Sequence, residues 1–76
     1  MAVALTYRQV KDTGKTLAWT VHSSDGVFLG DVSWYSQWRR YVLFPNDGML
    51  FDADCLRDIT GFIEARMRDH KAKAKT

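Results

Sequence analysis

The sequence predicts an α+β domain, ββββα, in which four antiparallel strands form a meander sheet and one C-terminal helix packs across it. Three observations carry this. Apolar residues alternate with polar ones at period two in the segments from Val3 to Trp34, and in Trp38–Phe44, where neither face is purely polar, the strand is expected to be covered on both. Asp and Gly interrupt the alternation at Asp12–Gly14 and Asp25–Gly26, where hairpin turns need them. Beyond Pro45 the period changes, and Leu56, Ile59, Phe62, Ile63 and Met67 recur at three and four residues to make one helical stripe. A chain of 76 residues wraps one small core, so residues 1–70 are expected to form the single domain and 71–76 a basic flexible tail.

The first strand is expected from Val3 to Val10, with Val3, Leu5 and Tyr7 on one side and Thr6 and Arg8 on the other. Lys11–Lys15 supplies the turn. A second strand, Thr16–Ser23, turns Leu17, Trp19 and Val21 inward, and Asp25-Gly26 after it suits a type I′ turn. In the third strand, from Val27, the inward set is Phe28, Val32 and Trp34, and Gly30 marks a bulge or a close crossing. A bend at Tyr35-Ser36-Gln37 then returns the chain as a fourth strand, Trp38–Phe44. There Trp38, Arg40, Val42 and Phe44 share one side and Arg39, Tyr41 and Leu43 the other. With Trp34 and Phe44 assigned to the core, Tyr35, Arg39 and Tyr41 are expected outside.

Pro45-Asn46-Asp47-Gly48 ends the sheet, since proline cannot donate to a ladder. Asp52 or Asp54 is the expected N-cap of the helix. Asp52, Asp54 and Asp58 near its start and Arg66 and Arg68 near its end suit the helix dipole, and Glu64 can pair with Arg68 at i,i+4. Gly61 weakens the helix interior by about 1 kcal/mol relative to Ala unless it permits a close approach. After Asp69 the sequence H-K-A-K-A-K-T has no apolar stripe, and fraying is expected.

The net charge of +2 is local, because Lys71, Lys73 and Lys75 lie in the last six residues. Without them the body has eight Lys and Arg against nine Asp and Glu, about −1. Such a balance argues against a protein built to neutralise many phosphates. No apolar run approaches the ~18 residues of a membrane span, and the N-terminal residues lack the features of a secretion signal. With one Cys there is no internal disulfide, so a cytoplasmic location is expected.

Five of the ten aromatic residues, Trp34, Tyr35, Trp38, Tyr41 and Phe44, fall between Leu29 and Pro45, with Arg39 and Arg40 among them. Trp, Tyr and Arg are the residues that interfaces favour. Tyr35, Trp38, Arg39, Arg40 and Tyr41 are therefore the candidate binding residues, and another protein is the expected partner. Self-association into a homodimer is also expected of so small a scaffold. The alternative is single-stranded nucleic acid or a nucleotide, with bases stacked on the aromatics beside the arginines. The blander account puts the Trp rings in the core and pairs the arginines with Asp31 and Asp47.

No catalytic residue, cofactor or metal site is expected. Cys55 falls in the first helical turn, where a thiol pKa can drop, and His22 is the one base that could approach it; three nearby Asp residues oppose a thiolate. His22, Cys55 and His70 have no metal-binding spacing, and no phosphate-cradling glycine loop occurs.

The segment W-Y-S-Q-W-R-R-Y-V-L-F-P, followed by the helix C-L-R-D-I-T-G-F, resembles a set of small uncharacterised proteins encoded by tailed phages and prophages. These pair a W-x-x-x-W-R-x-Y-x-x-x-P segment with a C-L-x-x-I-x-x-F helix. The resemblance covers roughly Leu29 to Ile63 and implies a phage accessory protein in the cytoplasm of a bacterial host, bound to a host or phage protein so as to inhibit or redirect it, without assigning an activity to any position.

Overall fold

The computed structural model describes residues 5–74 of the chain. They form one antiparallel sheet of β1 (Thr6–Asp12), β2 (Leu17–His22), β3 (Phe28–Tyr35) and β4 (Arg40–Pro45) in the order β1-β2-β3-β4, followed by the helix α1 (Ala53–Ala74). This is the expected ββββα meander. Val3 lies outside the described residues, while Leu5 and Tyr7 pack against the core as the alternation requires. A bulge between Gln9 and Lys11 carries β1 on to Asp12. Trp19, Val21, Leu29, Val32 and Tyr41 form the buried cluster under α1. Trp19 meets Tyr41 and Phe62 edge-on at 5.3 and 5.1 Å, and Tyr7 stacks on Phe62 at 3.9 Å. The Tyr7 hydroxyl donates to Asp58 at 2.5 Å and ties the β1 edge to the helix.

The hairpin chemistry departs from expectation in two places, and both move side chains across the sheet. The β2–β3 turn is not type I′, since Asp25 lacks the positive φ that type needs; the Gly26 N–H donates to Ser23 O, and Gly26 alone turns left-handed at φ 88°. Val21 pairs with Gly30 but His22 with Phe28, leaving Leu29 as an extra residue in β3. That bulge shifts the alternation by one, so Leu29 enters the core and Phe28 moves to the opposite face beside His22. Phe28 is thus not an inward residue.

The β3–β4 loop is Ser36–Arg39, closed by the Tyr35–Arg40 pair, one residue longer than a bend at 35–37. Closing pairs of residues 34 and 38 would have put Trp34, Val42 and Phe44 on one face. With the longer loop Trp34 pairs with Tyr41 and Val32 with Leu43, so Tyr41 and Leu43 face α1 and Phe44 faces away. Both assignments for this strand are reversed: Phe44 is 43% exposed and Tyr41 only 4%. Trp38 belongs to the loop, not to β4.

Asp52 is the N-cap of α1: its carboxylate accepts the Cys55 N–H at 2.9 Å and its carbonyl the Leu56 N–H at 3.0 Å. Cys55, Ile59, Phe62, Ile63, Arg66, Met67 and His70 form the side turned to the sheet, whereas Leu56, 47% exposed, falls off the expected stripe. Arg66 lies over the Phe62 and Trp19 rings at 5.1 and 5.9 Å. Among the described residues the ion pairs are Arg57–Asp54 and Arg66–Asp69, not Glu64–Arg68. The helix continues through 71–74, which the sequence alone assigns to the tail. Ala and Lys hold a helix by propensity without an apolar stripe, and His70 anchors that end on Trp34 at 4.4 Å.

Two expected results follow from the helix. The Cys55 N–H bond, foremost, holds the Asp52 carboxyl below its usual range. Its contribution to stability is therefore complete above the ordinary carboxylate pKa and disappears as pH falls through the depressed folded value. Urea midpoints followed from pH 7 downward should show a smaller acid loss for Asp52→Asn than for the parent, since Asn accepts the same N–H at every pH. At Gly61, an added Cβ meets nothing within 4 Å, so no close approach requires glycine there. Gly61→Ala should raise unfolding stability by about 1 kcal/mol.

Candidate functional site

Among the described residues, one helix covers one face of the sheet and the other face is bare. Cross-strand pairing lays the bare face out in rows: Thr6–His22–Phe28, Arg8–Thr20–Asp31–Phe44, Lys11–Ala18–Ser33–Val42 and Tyr35–Arg40. Its β3–β4 end is aromatic. Tyr35 meets Trp38 edge-on at 5.1 Å and Phe44 at 6.4 Å, and the Tyr35 hydroxyl donates to Gln37 Oε1 at 2.9 Å. Trp38, at 63%, is among the most exposed large side chains of the described residues.

Tyr35, Trp38, Arg39 and Arg40 are thus brought together at one end of the open face, as the sequence suggests. Tyr41 is not among them. Facing α1, its ring meets Trp19 and Trp34 at 5.3 Å, and its hydroxyl accepts the Leu17 N–H at 3.1 Å. The tyrosine fixes β4 over the core, and the little of it that is exposed, 4%, lies on the helix side of the sheet and not on the open face. Phe44 takes its place in the exposed cluster, and a loop of four rather than three residues was the signal that would have identified it.

Arg39 is the one non-glycine residue with positive φ among the described residues, at 55°. Asn or Gly would occupy that corner of a four-residue loop with less strain. Arg39 and Arg40 are exposed, and neither takes part in the ion pairs; Asp31 and Asp47 do not hold them. The Arg40 Nε donates instead to the Trp38 carbonyl, at 3.4 Å. Arg40 also stands at the corner where the open face turns into a groove between β4 and α1, lined by Ile63, Met67, Arg68 and Lys71.

His22 and Cys55 cannot form a nucleophile and base. His22 sits on the open face, and Cys55 lies on α1, across the sheet. Burial and the Asp52 carboxylate both push the Cys55 thiol upward, away from the thiolate. Among the described residues no three His, Cys, Asp or Glu converge on a point where a metal ion could be held. No helix of the described residues is long and apolar enough to cross a membrane.

Compared with known proteins, the chain matches no family model, no curated protein and no solved structure.

Proposed function

We propose that this chain is a non-enzymatic accessory protein of the phage type that acts by binding a host or phage protein through the open sheet face, centred on Tyr35, Trp38, Arg39, Arg40 and Phe44. One observation carries the reading: among the described residues, a four-stranded sheet has a helix on only one side, and its uncovered side gathers a Trp, a Tyr and a Phe beside two arginines that join no ion pair. Exposed aromatic clusters rimmed by polar residues mark docking sites, and Trp, Tyr and Arg dominate the energetics of such sites. The left-handed backbone at Arg39 adds to it, because a residue kept in a strained conformation is kept for its side chain.

The variant Trp38→Ser, Arg39→Gly tests this. Both positions are exposed, and glycine relieves the left-handed corner, so its unfolding stability should stay within about 1 kcal/mol of the parent. Parent and variant are used as baits for affinity purification from a bacterial host. A protein retained in stoichiometric amount by the parent and absent from the variant is the expected outcome; identical retention by both baits would sink the proposal.

A second reading draws on Arg8 and Lys11, which share the open face with the aromatics. Single-stranded nucleic acid binds where bases stack on rings and phosphates meet cations. Salt-dependent binding of oligothymidine, lost on Arg39→Ala with Arg40→Ala, would favour it over a protein partner.

A further inference from the structure

The open face is a shallow, widely open trough. Its centre line on β2 and β3 is made of small residues, Ala18, Thr20 and Ser33. Arg8 and Lys11 stand on β1 at one side, and Val42 and Phe44 on β4 at the other. Lys11, Ala18, Asp31, Ser33 and Phe44 line one continuous groove across it. Strands about 4.8 Å apart set β1 and β4 roughly 14 Å from each other. An α-helix with its side chains is about 10–12 Å across, and so fits between those walls.

The charge on this face selects among occupants. Arg8, Lys11 and Arg40 stand against one carboxylate, Asp31, which leaves the face cationic while the body is about −1. A second copy packed sheet to sheet would bring two cationic faces together, and like charges across an interface oppose association. A nucleic-acid strand along β1 would find only Arg8 and Lys11 for its phosphates, with Asp31 in the trough repelling them. An amphipathic helix meets none of these objections when its apolar stripe lies on Phe44, Val42 and Ala18 and its acidic flank faces Arg8 and Lys11. We infer that the open face takes an acidic-flanked amphipathic helix of a partner protein, completing a helix–sheet–helix sandwich. The inference rests on the protein-binding reading above.

A displayed library of about 20-residue helices, long enough to run the length of the sheet, tests it. The stripe is fixed as Leu and Ala, and the flanks are randomised between Glu and Lys. Selection on the immobilised protein should enrich Glu on one flank. A peptide of the enriched sequence should bind Arg8→Glu, Lys11→Glu about tenfold more weakly or worse, and replacing its facing Glu residues by Lys should restore binding to that variant. Binders abolished by Phe44→Ser but lacking any Glu preference would overturn the acidic helix and leave the face a protein site. Two results would overturn both readings: binders indifferent to all these variants, or no enriched helix together with oligothymidine binding. A dimer in sedimentation that Phe44→Ser dissociates would assign the face to a second copy and overturn the helix.

Discussion

Trp19→Ala should cost about 3–5 kcal/mol and abolish cooperative unfolding at or near room temperature. Trp19 is the joint between all the layers of the core: it pairs across the sheet with Gln9 and Val32 and meets Tyr41 edge-on, while from the helix Phe62 and Arg66 close over it. Only six apolar residues are buried among the described residues, so no neighbour is large enough to fill the space an indole leaves. A chain of this size holds a total stability of about 4–11 kcal/mol, and the loss takes about a quarter or more of it. Urea unfolding followed by far-ultraviolet circular dichroism is the measurement, with Trp19→Phe beside it. The smaller ring should keep a cooperative transition at a lower midpoint, because it retains the contact to Phe62 and Tyr41. A Trp19→Ala midpoint close to the parent's would show that the helix is held to the sheet by something other than this ring.

The architecture could be read from the sequence because β2 and α1 are regular: strict alternation marks Leu17, Trp19 and Val21, and the spacing of Ile59, Phe62, Ile63 and Met67 marks the helix. In β3 the alternation places Val32 and Trp34 toward α1 as observed, but the facing of the residues before Gly30 and of β4 could not be read the same way. Facing depends on residue count, and one extra residue reverses it. Leu29 is such a residue in β3, and the fourth residue of the Ser36–Arg39 loop is another. Composition gave no sign of either, since Phe28 and Leu29, or Tyr41 and Phe44, are equally good core residues. The consequence for the candidate site is specific. Trp38, Arg39 and Arg40 were recognisable because loop and rim positions are exposed in either register, whereas Tyr41 and Phe44 exchange roles with it.

The bulge at Leu29 and the exposure of Phe44 converge on Gly30, and Gly30→Ala should destabilise the protein by about 1–3 kcal/mol. The usual expectation is of the opposite sign, since Ala in place of Gly inside a strand is favourable by roughly 0.5–1 kcal/mol. The difference lies in the Gly30 backbone, at φ 158°, and in what the new methyl group meets. A Cβ on Gly30 would stand 2.6 Å from the Phe44 carbonyl oxygen, 3.0 Å from Pro45 Cα and 3.3 Å from Asn46 N. All three are backbone atoms, so no rotamer change relieves the clash, and β4 itself must move away from β3. The Asn46 N–H bond to Leu29 O, 2.9 Å long, closes the ladder at that point and would be stretched with it. Phe44 would be displaced from the Tyr35 ring and the trough would lose one wall, so Gly30→Ala should weaken partner binding as well as stability. Gly61→Ala provides the internal control, because the same methyl group added where nothing lies within 4 Å should stabilise. If both alanines shifted the urea midpoint upward, the close passage of β4 over Gly30 would be refuted, and with it the β3–β4 register that places Phe44 on the open face.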